Sequence, residues 1–489
     1  MAGWLLVVIV GAPLLAVAGC LAIRSLHACE GLNLAAAIAV FAAALPLPVL
    51  AWSTTYHFWA DYIVVDTAAA WTVLCTAVVY LLASIYAVGY MRLLGEERAR
   101  MHTFYALFAG FACTMLCGPF MNNIGVYWIA IELTTLVSTF LVGFERGHEA
   151  IEAAWKYIIV VSAGISLALL GTVLFYWAGS LVIGPTYDMT WSVLRSVAPQ
   201  MDPPLVRTAF LLVLVGYGTK AGLAPMHTWL PDAHSEGPAP VSAMLSGALL
   251  NTAMLGVARF LAVTDAASPS VLPRTVVIAF GAFSLFVAGL FIVRQEGIKR
   301  LMAYSSVEHM GVLALGFGFG GPLGIAGALY HMLNHSLNKS LMFFGAGNVM
   351  RSYGTKQMPE IRDVGHRYPV TGALWLAGAV AITGAPPFGL FLSEIVIMRA
   401  GLAASHIWAV LVMLVLLIVI FVGFLNHFRE MYYIDAPPAT AASALPPSVW
   451  MTLPMWLALV PVLVLGVWWP DAFWQYFEVV AQQLAGHPQ

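Results

Sequence analysis

Apolar stretches of about 20 residues recur along the whole of this 489-residue chain. Each is long enough to cross the roughly 30 Å hydrocarbon core of a bilayer as an α-helix. Hydrophobic residues make up 61% of the chain and charged residues only 9%, which is too little charge for a soluble protein of this length. The sequence therefore predicts an all-α polytopic membrane protein, because a helix satisfies its own backbone polar groups inside lipid.

The hydrophobic pattern predicts fourteen transmembrane helices. They lie near residues 4–22, 32–52, 67–90, 103–119, 122–143, 154–178, 206–230, 240–262, 271–293, 301–319, 322–348, 368–400, 406–427 and 449–469. The first begins at Trp4 with no basic residue before it, so we interpret it as a true span rather than a cleavable signal. We expect a short interfacial helix within 179–205, and we expect the tail after Pro470 to lie on the surface.

The distribution of basic residues predicts the orientation. Fourteen of the 21 Lys and Arg residues follow odd-numbered spans and five follow even-numbered ones. Basic loops are retained in the cytoplasm. We therefore expect the odd-to-even loops to be cytoplasmic and both termini to lie on the outer side. A bacterial inner membrane is the expected location. The five cysteines show no metal-binding spacing.

Two spans are interrupted by glycine and proline. The seventh contains Gly222-Leu223-Ala224-Pro225 and the twelfth contains Gly384-Ala385-Pro386-Pro387. Paired broken helices an odd number of spans apart are typical of inverted-repeat transporters. We therefore predict two five-helix inverted repeats with broken helices 7 and 12. The boundaries we expect are helices 1–3 in 1–102, the first repeat in 103–262, the second in 263–430, and helix 14 with its tail in 431–489.

Four ionisable residues lie inside apolar segments or directly after a break: Glu132, Lys220, Lys339 and Glu394. A charge at mid-bilayer costs roughly 2.5–3.5 kcal/mol on insertion scales, and such charges usually pair and mark an ion path. Glu132 and Lys220 are predicted to pair. A structural salt bridge and a switchable pair are both compatible with the sequence, and they differ in whether the pair opens.

The eleventh span places His331, His335 and Lys339 at intervals of four residues. They stack on one helix face over about 12 Å. This pattern favours a proton wire, because His both donates and accepts near neutral pH. Hydrogen-bonded packing is an alternative, and so is zinc, although the sequence shows no third ligand.

Three further histidines lie near these groups. His227 and His234 follow the first break, where they fit either an ordinary polar loop or the same path. His309 follows Glu308 at the start of the tenth span. Three spans that each bring His or Lys inward favour chemistry over packing.

At this point the chain resembles a known family. The segment GTKAGLAPMHTWLPDAHSEGPAPVSAML is similar to the hallmark of the antiporter-like membrane subunits of respiratory complex I, Mrp cation/proton antiporters and membrane-bound group 4 nickel–iron hydrogenases. RLMAYSSVEHMG and YHMLNHSLNKSLMFFGAGNV resemble two further motifs, and the likeness covers about residues 60–430.

The resemblance assigns roles to residues by position. It implies a helix-five and helix-seven charge pair at Glu132 and Lys220, and a helix-six lysine at Lys156. It further implies functional roles for His331, His335 and Lys339, and a terminal glutamate at Glu394. Many members carry a lysine in helix eight, where this chain has Asn251. An amide cannot carry an additional proton as a lysine amine does, so the proton wire would use water or another residue at this position.

The segment GAPPFGLFLSE and the EHMG after YSSV resemble hydrogenase-4 component F and formate hydrogenlyase subunits more than complex I. The long lateral helix of the complex I L-type subunit is not expected here. The resemblance implies no cofactor and no redox chemistry in this chain. Fe–S clusters and a nickel–iron centre are expected in partner subunits.

The implied partners are other membrane subunits, a peripheral redox arm and the lipid bilayer, with no nucleic acid. The implied function is proton translocation in a redox-driven complex. Three alternatives remain: an Mrp-type sodium/proton antiporter subunit, a complex I M-type subunit, and a membrane anchor that has lost transport.

Overall fold

The structure is a computed structural model that describes residues 2–95, 98–268, 270–434 and 447–485. Within these ranges the chain is helical apart from short turns and one two-stranded hairpin. Ten of the described helical segments are long and apolar enough to cross a membrane. The polytopic all-α prediction is thus confirmed. The count of fourteen remains a prediction, because the other four predicted spans fall on helices that carry the polar residues or the breaks.

The helices before residue 268 follow the predicted spans with shifts of a few residues. They are α1 (Ala2–Ile23), α2 (Leu26–Ala44), α3 (Leu47–Ser53), α4 (Thr67–Met91), α5 (Met101–Cys117), α6 (Ile124–Val142), α7 (His148–Ile183), α8 (Trp191–Val197), α9 (Pro203–Ala221), α10 (Trp229–Glu236), α11 (Ala239–Met244) and α12 (Leu250–Ala267).

The later helices complete the bundle. They are α13 (Leu272–Ile292), α14 (Ile298–Phe319), α15 (Gly321–Tyr353), α16 (Val364–Arg367), α17 (Pro369–Ile382), α18 (Gly389–Ala403), α19 (Ile407–Tyr433), α20 (Val449–Val467) and α21 (Asp471–Ala485). Short 3₁₀ turns cover Arg98–Arg100, Gly118–Phe120, Ala198–Gln200 and Met358–Glu360.

Two features lie between predicted spans. Strands β1 (Tyr56–Phe58) and β2 (Ile63–Val65) pair antiparallel, and the sequence pattern did not predict this hairpin. A short helix, α8, forms where we expected one. The Thr190 side chain caps its start by accepting a hydrogen bond from the Val193 amide. Side-chain oxygens cap other helices in the same way, including Asn123 at the start of α6.

Both predicted breaks are present. Helix α9 ends because Gly222 adopts a left-handed conformation, with φ 78°. The freed backbone finds partners nearby: the Trp229 indole donates to the Thr219 carbonyl at 2.8 Å, and the Ser284 hydroxyl accepts from the Ala224 amide at 2.9 Å. Irregular backbone is tolerated at membrane depth only when protein or water satisfies it in this way.

The second break separates α17 from α18 and turns at Gly384, which also has a left-handed φ of 66°. Helix α20 lies directly against this break. A side chain at Gly466 of α20 would collide with the Pro387 carbonyl. The close approach of α20 fixes where α18 restarts, and therefore where Glu394 lies.

The predicted eighth span is one continuous segment of three parts: α11, a π-helical turn at Leu245–Leu249, and α12. Single π turns inside α-helices are often found at functional sites. Here the turn lies against α15 at the level of Asn251, and Ser336 of α15 donates to the Gly247 carbonyl at 2.6 Å.

Helix α15 is the centre of the bundle. It packs against α4, α11, α14, α17, α18, α20 and α21. The tail helix α21 is more embedded than the predicted surface segment, since Tyr476 and Phe477 are buried and the Tyr476 hydroxyl donates to the Thr67 carbonyl at 2.6 Å. Its apolar face covers one end of α4 and α15.

The loops gather at the two ends of the bundle. At one end, loops after odd-numbered spans meet, and Arg351 and Lys356 form salt bridges with Glu145 and Glu236. Both described chain ends lie at the other end: Gly3 neighbours Phe58 of the hairpin, and Gln483 of α21 accepts from Thr67. We call the first the basic end and the second the hairpin end.

Candidate functional site

Lys220 lies in the last turn of α9 and is fully buried. Its ammonium group donates to the hydroxyl groups of Thr135 at 2.8 Å and Tyr157 at 3.0 Å, and it lies 5.3 Å from the centre of the Tyr157 ring. The C-terminal end of α9 also favours a cation there, because unpaired carbonyls give that end a partial negative charge.

Glu132 does not contact Lys220 directly. The Thr135 hydroxyl lies between them: it accepts from Lys220 and donates to the Glu132 carboxylate at 3.3 Å. The other carboxylate oxygen of Glu132 accepts from Ser162 at 2.8 Å. The predicted pair is thus bridged by one hydroxyl group, and the bridge depends on the packing of α7 against both α6 and α9, which sequence spacing does not show.

Glu132 is only half-buried, unlike Lys220. Its neighbours along α6, Ile129 and Leu133, are exposed apolar residues, as is Trp155 on α7. A carboxylate on such a face is poorly placed against lipid.

The predicted row on α15 is present and completely buried: His331, His335 and Lys339 each have no exposed surface. The rings of His331 and His335 are parallel within 10° and their centres are 6.4 Å apart. The Lys339 ammonium donates to the Met302 carbonyl of α14 at 2.9 Å.

His309 of α14 joins this row. Its Nδ1 lies 3.1 Å from Nε2 of His331, and Nδ1 of His331 lies 2.9 Å from the Ser393 hydroxyl. Ser393 donates to the Leu390 carbonyl at 2.7 Å, so it accepts from His331. Because Ser393 accepts, a neutral His331 carries its proton on Nδ1 and its Nε2 is an acceptor. His309 therefore donates its own Nδ1 proton to His331.

Glu394 is buried on the first turns of α18, directly beneath the break. Its carboxylate occupies the space that a Cβ at Gly384 would fill. Donor atoms of His309, His331 and Glu394 all lie within 4.8 Å of one another. This group contains only His331 of the two α15 histidines considered for zinc, so the spacing along α15 did not show it. The hydrogen bonds already made by both histidines favour a proton row at this point.

His234 and His227 are both buried after the first break, His234 on α10 and His227 in the turn that precedes it. His234 stacks on Phe343 of α15, with ring centres 4.7 Å apart, and it lies within electrostatic reach of Lys339 and Lys299. His227 lies further out, with its ring 6.1 Å from that of Tyr304.

Lys299 was not singled out from the sequence, where it looked like one more loop cation. The structure buries it at the basic end, where its ammonium donates to the Gly237 carbonyl at 2.7 Å. It lines two adjoining cavities of about 530 and 440 Å³. Six acidic side chains share in lining them, together with five basic ones: Glu145, Glu149, Glu152, Asp232, Glu236 and Glu296, with Lys156, Lys299, Arg300, Arg351 and Lys356.

Lys356 lies at the rim of these cavities, outside the spans. Its partial burial acts to lower the pKa, but the hydrogen bond and charge of Glu236 outweigh this, so its pKa lies above the ordinary value. Lys356 therefore remains charged and holds Glu236 and Glu149 at the rim.

Lys156 is not part of the buried row. It is 51% exposed and forms salt bridges with Glu152 at 2.7 Å and Asp232 at 3.2 Å. Its position near the start of α7 brings it to the rim of the same cavities instead. Any role of Lys156 would be at the surface of the basic end.

Asn251 is buried beside the π turn, as expected from its position in place of a lysine. Its amide group donates to the Gly247 carbonyl at 3.1 Å and the Ser336 hydroxyl at 2.9 Å. Ser246 of the same turn lies 2.7 Å from Ser306 of α14. Hydroxyl and amide groups, rather than a lysine, therefore lie beside the π turn.

Many buried polar atoms in the interior of the bundle have no hydrogen-bond partner among the described residues. They include both ring nitrogens of His234 and His335, Nε2 of His309, Oδ1 of Asn251, and one carboxylate oxygen each of Glu308 and Glu394. Buried polar groups are nearly always satisfied. Water is the partner that fits such a row, since it both donates and accepts.

Glu308 is the acidic residue that the sequence interpretation passed over as a site. It is 1% exposed and lies in electrostatic reach of Lys339. The sequence did contain a signal for Glu308, because an acid inside an apolar span is rare. Only the neighbouring His309 was interpreted as a site residue.

The family described as "NADH:quinone oxidoreductase/Mrp antiporter, TM" matches residues 121–420. A "Hydrogenase-4 component F homolog" of Methylacidiphilum infernorum is 42% identical over 59% of this chain. The "NADH-quinone oxidoreductase subunit N" of Desulforudis audaxviator is 31% identical over 84% of this chain and 81% of its own length.

Other relatives extend beyond the matched region. The match spans 61% of the Methylacidiphilum protein and 52% of "Hydrogenase-4 component B" of Escherichia coli, which is 31% identical over 71% of this chain. The chain therefore covers less than two thirds of the length of these two curated relatives.

Solved structures share the fold at low identity. A chain of an archaeal membrane-bound sulfane sulfur reductase superposes with a TM-score of 0.87 at 23% identity, covering 98% of this chain and 97% of that one. A chain of the Mrp complex from Dietzia gives 0.86 at 19% identity, with the same coverage. These matches and the buried polar row agree: this chain is an antiporter-like membrane protein that belongs to the NADH:quinone oxidoreductase/Mrp antiporter transmembrane family.

Proposed function

We propose that this chain is the proton-translocating membrane subunit of a redox-driven complex of the group 4 membrane-bound hydrogenase or complex I type. The observation that carries the proposal is the buried row of Lys339, His335, His331, His309 and Glu394, drawn from α14, α15 and α18. A packing role alone does not account for so many titratable groups in an apolar bundle, because each is costly to bury.

The basic end offers a route of proton uptake. The two cavities at this end reach Lys299, and His234 lies within electrostatic reach of both Lys299 and Lys339. Acidic and basic side chains are mixed along the lining of these cavities, so groups that bind and release protons are gathered there. We infer that protons enter here, reach Lys339 through His234 and water, and leave at the hairpin end beyond Glu394.

The bridged pair of Lys220 and Glu132 is proposed as the switch. Glu132 lies on the face of α6 and α7 that suits a neighbouring subunit, so a charge arriving there acts on Glu132 first. Loss of its attraction would release Lys220 from Thr135 and favour transfer of its proton toward α15. One charge moved against 100 mV is about 2.3 kcal/mol.

The redox centres are proposed to lie elsewhere. Fe–S clusters and a nickel–iron centre would be held by partner subunits in a peripheral arm. This chain would take part through its buried residues alone. Its membrane partners would dock on the α6 and α7 face, and the rest of the bundle surface would meet lipid.

Purification of the native assembly tests the proposal. We expect the chain to copurify with hydrogenase-like or NADH-dehydrogenase-like subunits, and we expect vesicles containing that assembly to take up protons during electron transfer. Copurification with only small membrane proteins, together with sodium-dependent proton movement in the absence of redox turnover, would instead establish the second candidate. That candidate, an Mrp-type antiporter subunit, is favoured by the fold shared with the Dietzia Mrp complex.

A further inference from the structure

We propose that the buried hydroxyl groups of Ser246 and Ser306, together with bound water, form the relay that delivers protons to Lys339. The inference rests on the proton translocation proposed above and deepens it, because it names the residues that carry a proton from the side of His234 to Lys339. Its basis is the set of hydrogen bonds that meet at the π turn between α11 and α12.

The two hydroxyl groups join the π turn to α14. Ser246 lies in the turn and Ser306 on α14, neither has any exposed surface, and their hydroxyl oxygens are 2.7 Å apart. Ser306 also donates to the Met302 carbonyl at 3.1 Å. Because a hydroxyl group has one proton to donate, Ser246 is then the donor within the pair. Both protons therefore point the same way, from the π turn toward Met302.

Lys339 meets this pair of hydroxyl groups at the same carbonyl. Its ammonium donates to the Met302 carbonyl at 2.9 Å, so the ammonium and the Ser306 hydroxyl share one acceptor. An ammonium has three donors, and Met302 is the one hydrogen-bond partner that the described residues give it. Water fits the remaining donors, because it can accept from Lys339 and bond to Ser306 beside it.

The other end of the relay lies toward His234. Ser242 precedes Ser246 by four residues, which is about one turn, and its hydroxyl donates to the His234 carbonyl at 3.2 Å. The His234 ring stacks on Phe343, four residues beyond Lys339 on α15. Both ring nitrogens of His234 have no hydrogen-bond partner in the part of the chain that the structure describes, so water suits them as well. His234 is thus held against both α11 and α15, next to the start of the relay.

Other hydrogen bonds hold the π turn in place. The Gly247 carbonyl accepts from Ser336 of α15 at 2.6 Å and from Asn251 at 3.1 Å, so side chains of two helices fix the turn. The Ser246 hydroxyl takes no part in this, since its contact is with Ser306. Serine pairs between helices can also serve packing. The pair of Ser246 and Ser306 differs because it ends at the carbonyl that holds a buried ammonium.

The transfer step balances in charge and atoms. It begins with Lys339 as a neutral amine, after its own proton has moved on along the buried row. A protonated water beside Ser246 gives a proton to the Ser246 oxygen, while Ser246 gives its hydroxyl proton to Ser306. Ser306 passes its hydroxyl proton through a second water to the amine. Both serines end neutral, the first water has lost one proton and Lys339 has gained one. Rotation of the two hydroxyl groups restores the starting hydrogen bonds.

The test measures the rate of proton uptake in sealed vesicles of the intact assembly carrying Ser246→Ala, Ser306→Ala or both. We expect each single variant to slow uptake roughly tenfold, since each removes about one hydrogen bond from the transfer step. Either change breaks a serial relay, so the double variant should be no slower than the slower single variant, whereas independent packing effects would multiply. Ser340→Ala is the control and should match the unmodified assembly, because Ser340 is equally buried beside Lys339 but donates to the Ser336 carbonyl.

Two further replacements of Ser306 separate a relay from packing. Ser306→Thr keeps a hydroxyl group and should keep most of the rate. Ser306→Cys fills nearly the same space with a weak donor and should slow uptake as alanine does, so it decides if the alanine variants do not assemble. Unmodified rates in Ser306→Cys or in both alanine variants, or slowing that multiplies in the double variant, would overturn the inference. Vesicles of the unmodified assembly that move no protons would instead refute the proposed function.

Discussion

At the scale of single residues, the Thr135 hydroxyl group links Lys220 and Glu132 into one hydrogen-bonded unit. It accepts from the ammonium and donates to the carboxylate, so the two charges sense each other without contact. A bridge of this kind opens by rotation of one hydroxyl group. A direct salt bridge in the same place would have to be pulled apart at the cost of a buried charge.

Thr135→Val tests this bridge at nearly constant shape. We expect it to leave the Lys220 ammonium with one hydroxyl partner fewer, to lower stability by about 1–3 kcal/mol, and to reduce coupled proton movement. Thr139→Val is the control, because Thr139 is one turn away and donates only to the Thr135 carbonyl. Thermal unfolding and proton uptake are the measurements. Equal coupling in the two variants would contradict the bridge.

Glu394→Gln tests the exit. The change removes the charge at nearly constant volume, and we expect redox activity of the assembly to persist with fewer protons moved per electron, or to slow because the two processes stay coupled. Proton uptake and electron transfer are measured together. An unchanged redox rate with an unchanged proton-to-electron ratio would exclude Glu394 as an obligatory site.

At the scale of elements, the two broken helices bring charged side chains to the middle of the bundle. The first break ends α9 at the level of Lys220, and the second makes room for Glu394 by placing a glycine where a Cβ would strike its carboxylate. The breaks were predictable from glycine and proline. The partners that satisfy them, such as Ser284 and Trp229, were not, because they come from packing between distant segments.

Gly384→Ala separates backbone strain from displacement of Glu394. Both Gly384 and Gly354 have left-handed φ angles, 66° and 70°, but a Cβ at Gly354 meets nothing within 4 Å. Each Ala variant should lose about 1–3 kcal/mol of stability from strain. We expect only Gly384→Ala to lower proton uptake per electron. Equal uptake in the two variants would show that the break does not position Glu394.

The spacing of residues along one helix could be predicted from the sequence, but the contacts between two helices could not. The row of His331, His335 and Lys339 followed from four-residue spacing, and its burial is confirmed. The contact of His309 with His331 and the burial of Lys299 depend on tertiary packing, which spacing along the chain does not encode. The π turn beside Asn251 was likewise invisible, because its sequence reads as ordinary helix.

At the scale of the whole molecule, the bundle is asymmetric from end to end. The two cavities that Lys299 lines and the salt bridges of Arg300, Arg351 and Lys356 lie at the basic end, while the hairpin, α8 and α21 lie at the other. This asymmetry gives the proposed proton path a direction: uptake at the basic end and release at the hairpin end.

Labelling of intact cells tests that direction. Single cysteines introduced at positions 98 and 471 should react with an impermeant thiol reagent only at 471, since the basic residues predict a cytoplasmic position for 98. The unmodified protein is the control, because four of its five cysteines are buried and the fifth is half-buried. Reaction at 98 and not at 471 would show that the molecule has the opposite orientation.

The most direct test of the account is the number of protons moved per electron by the intact assembly carrying Lys220→Ala. Lys220 is fully buried and has hydroxyl partners rather than a structural salt bridge, so its loss should leave the complex assembled. In sealed vesicles we expect electron transfer without coupled proton uptake through this subunit. Uptake per electron equal to that of the unmodified assembly would contradict the claim that the bridged pair of Lys220 and Glu132 controls proton translocation along the buried row.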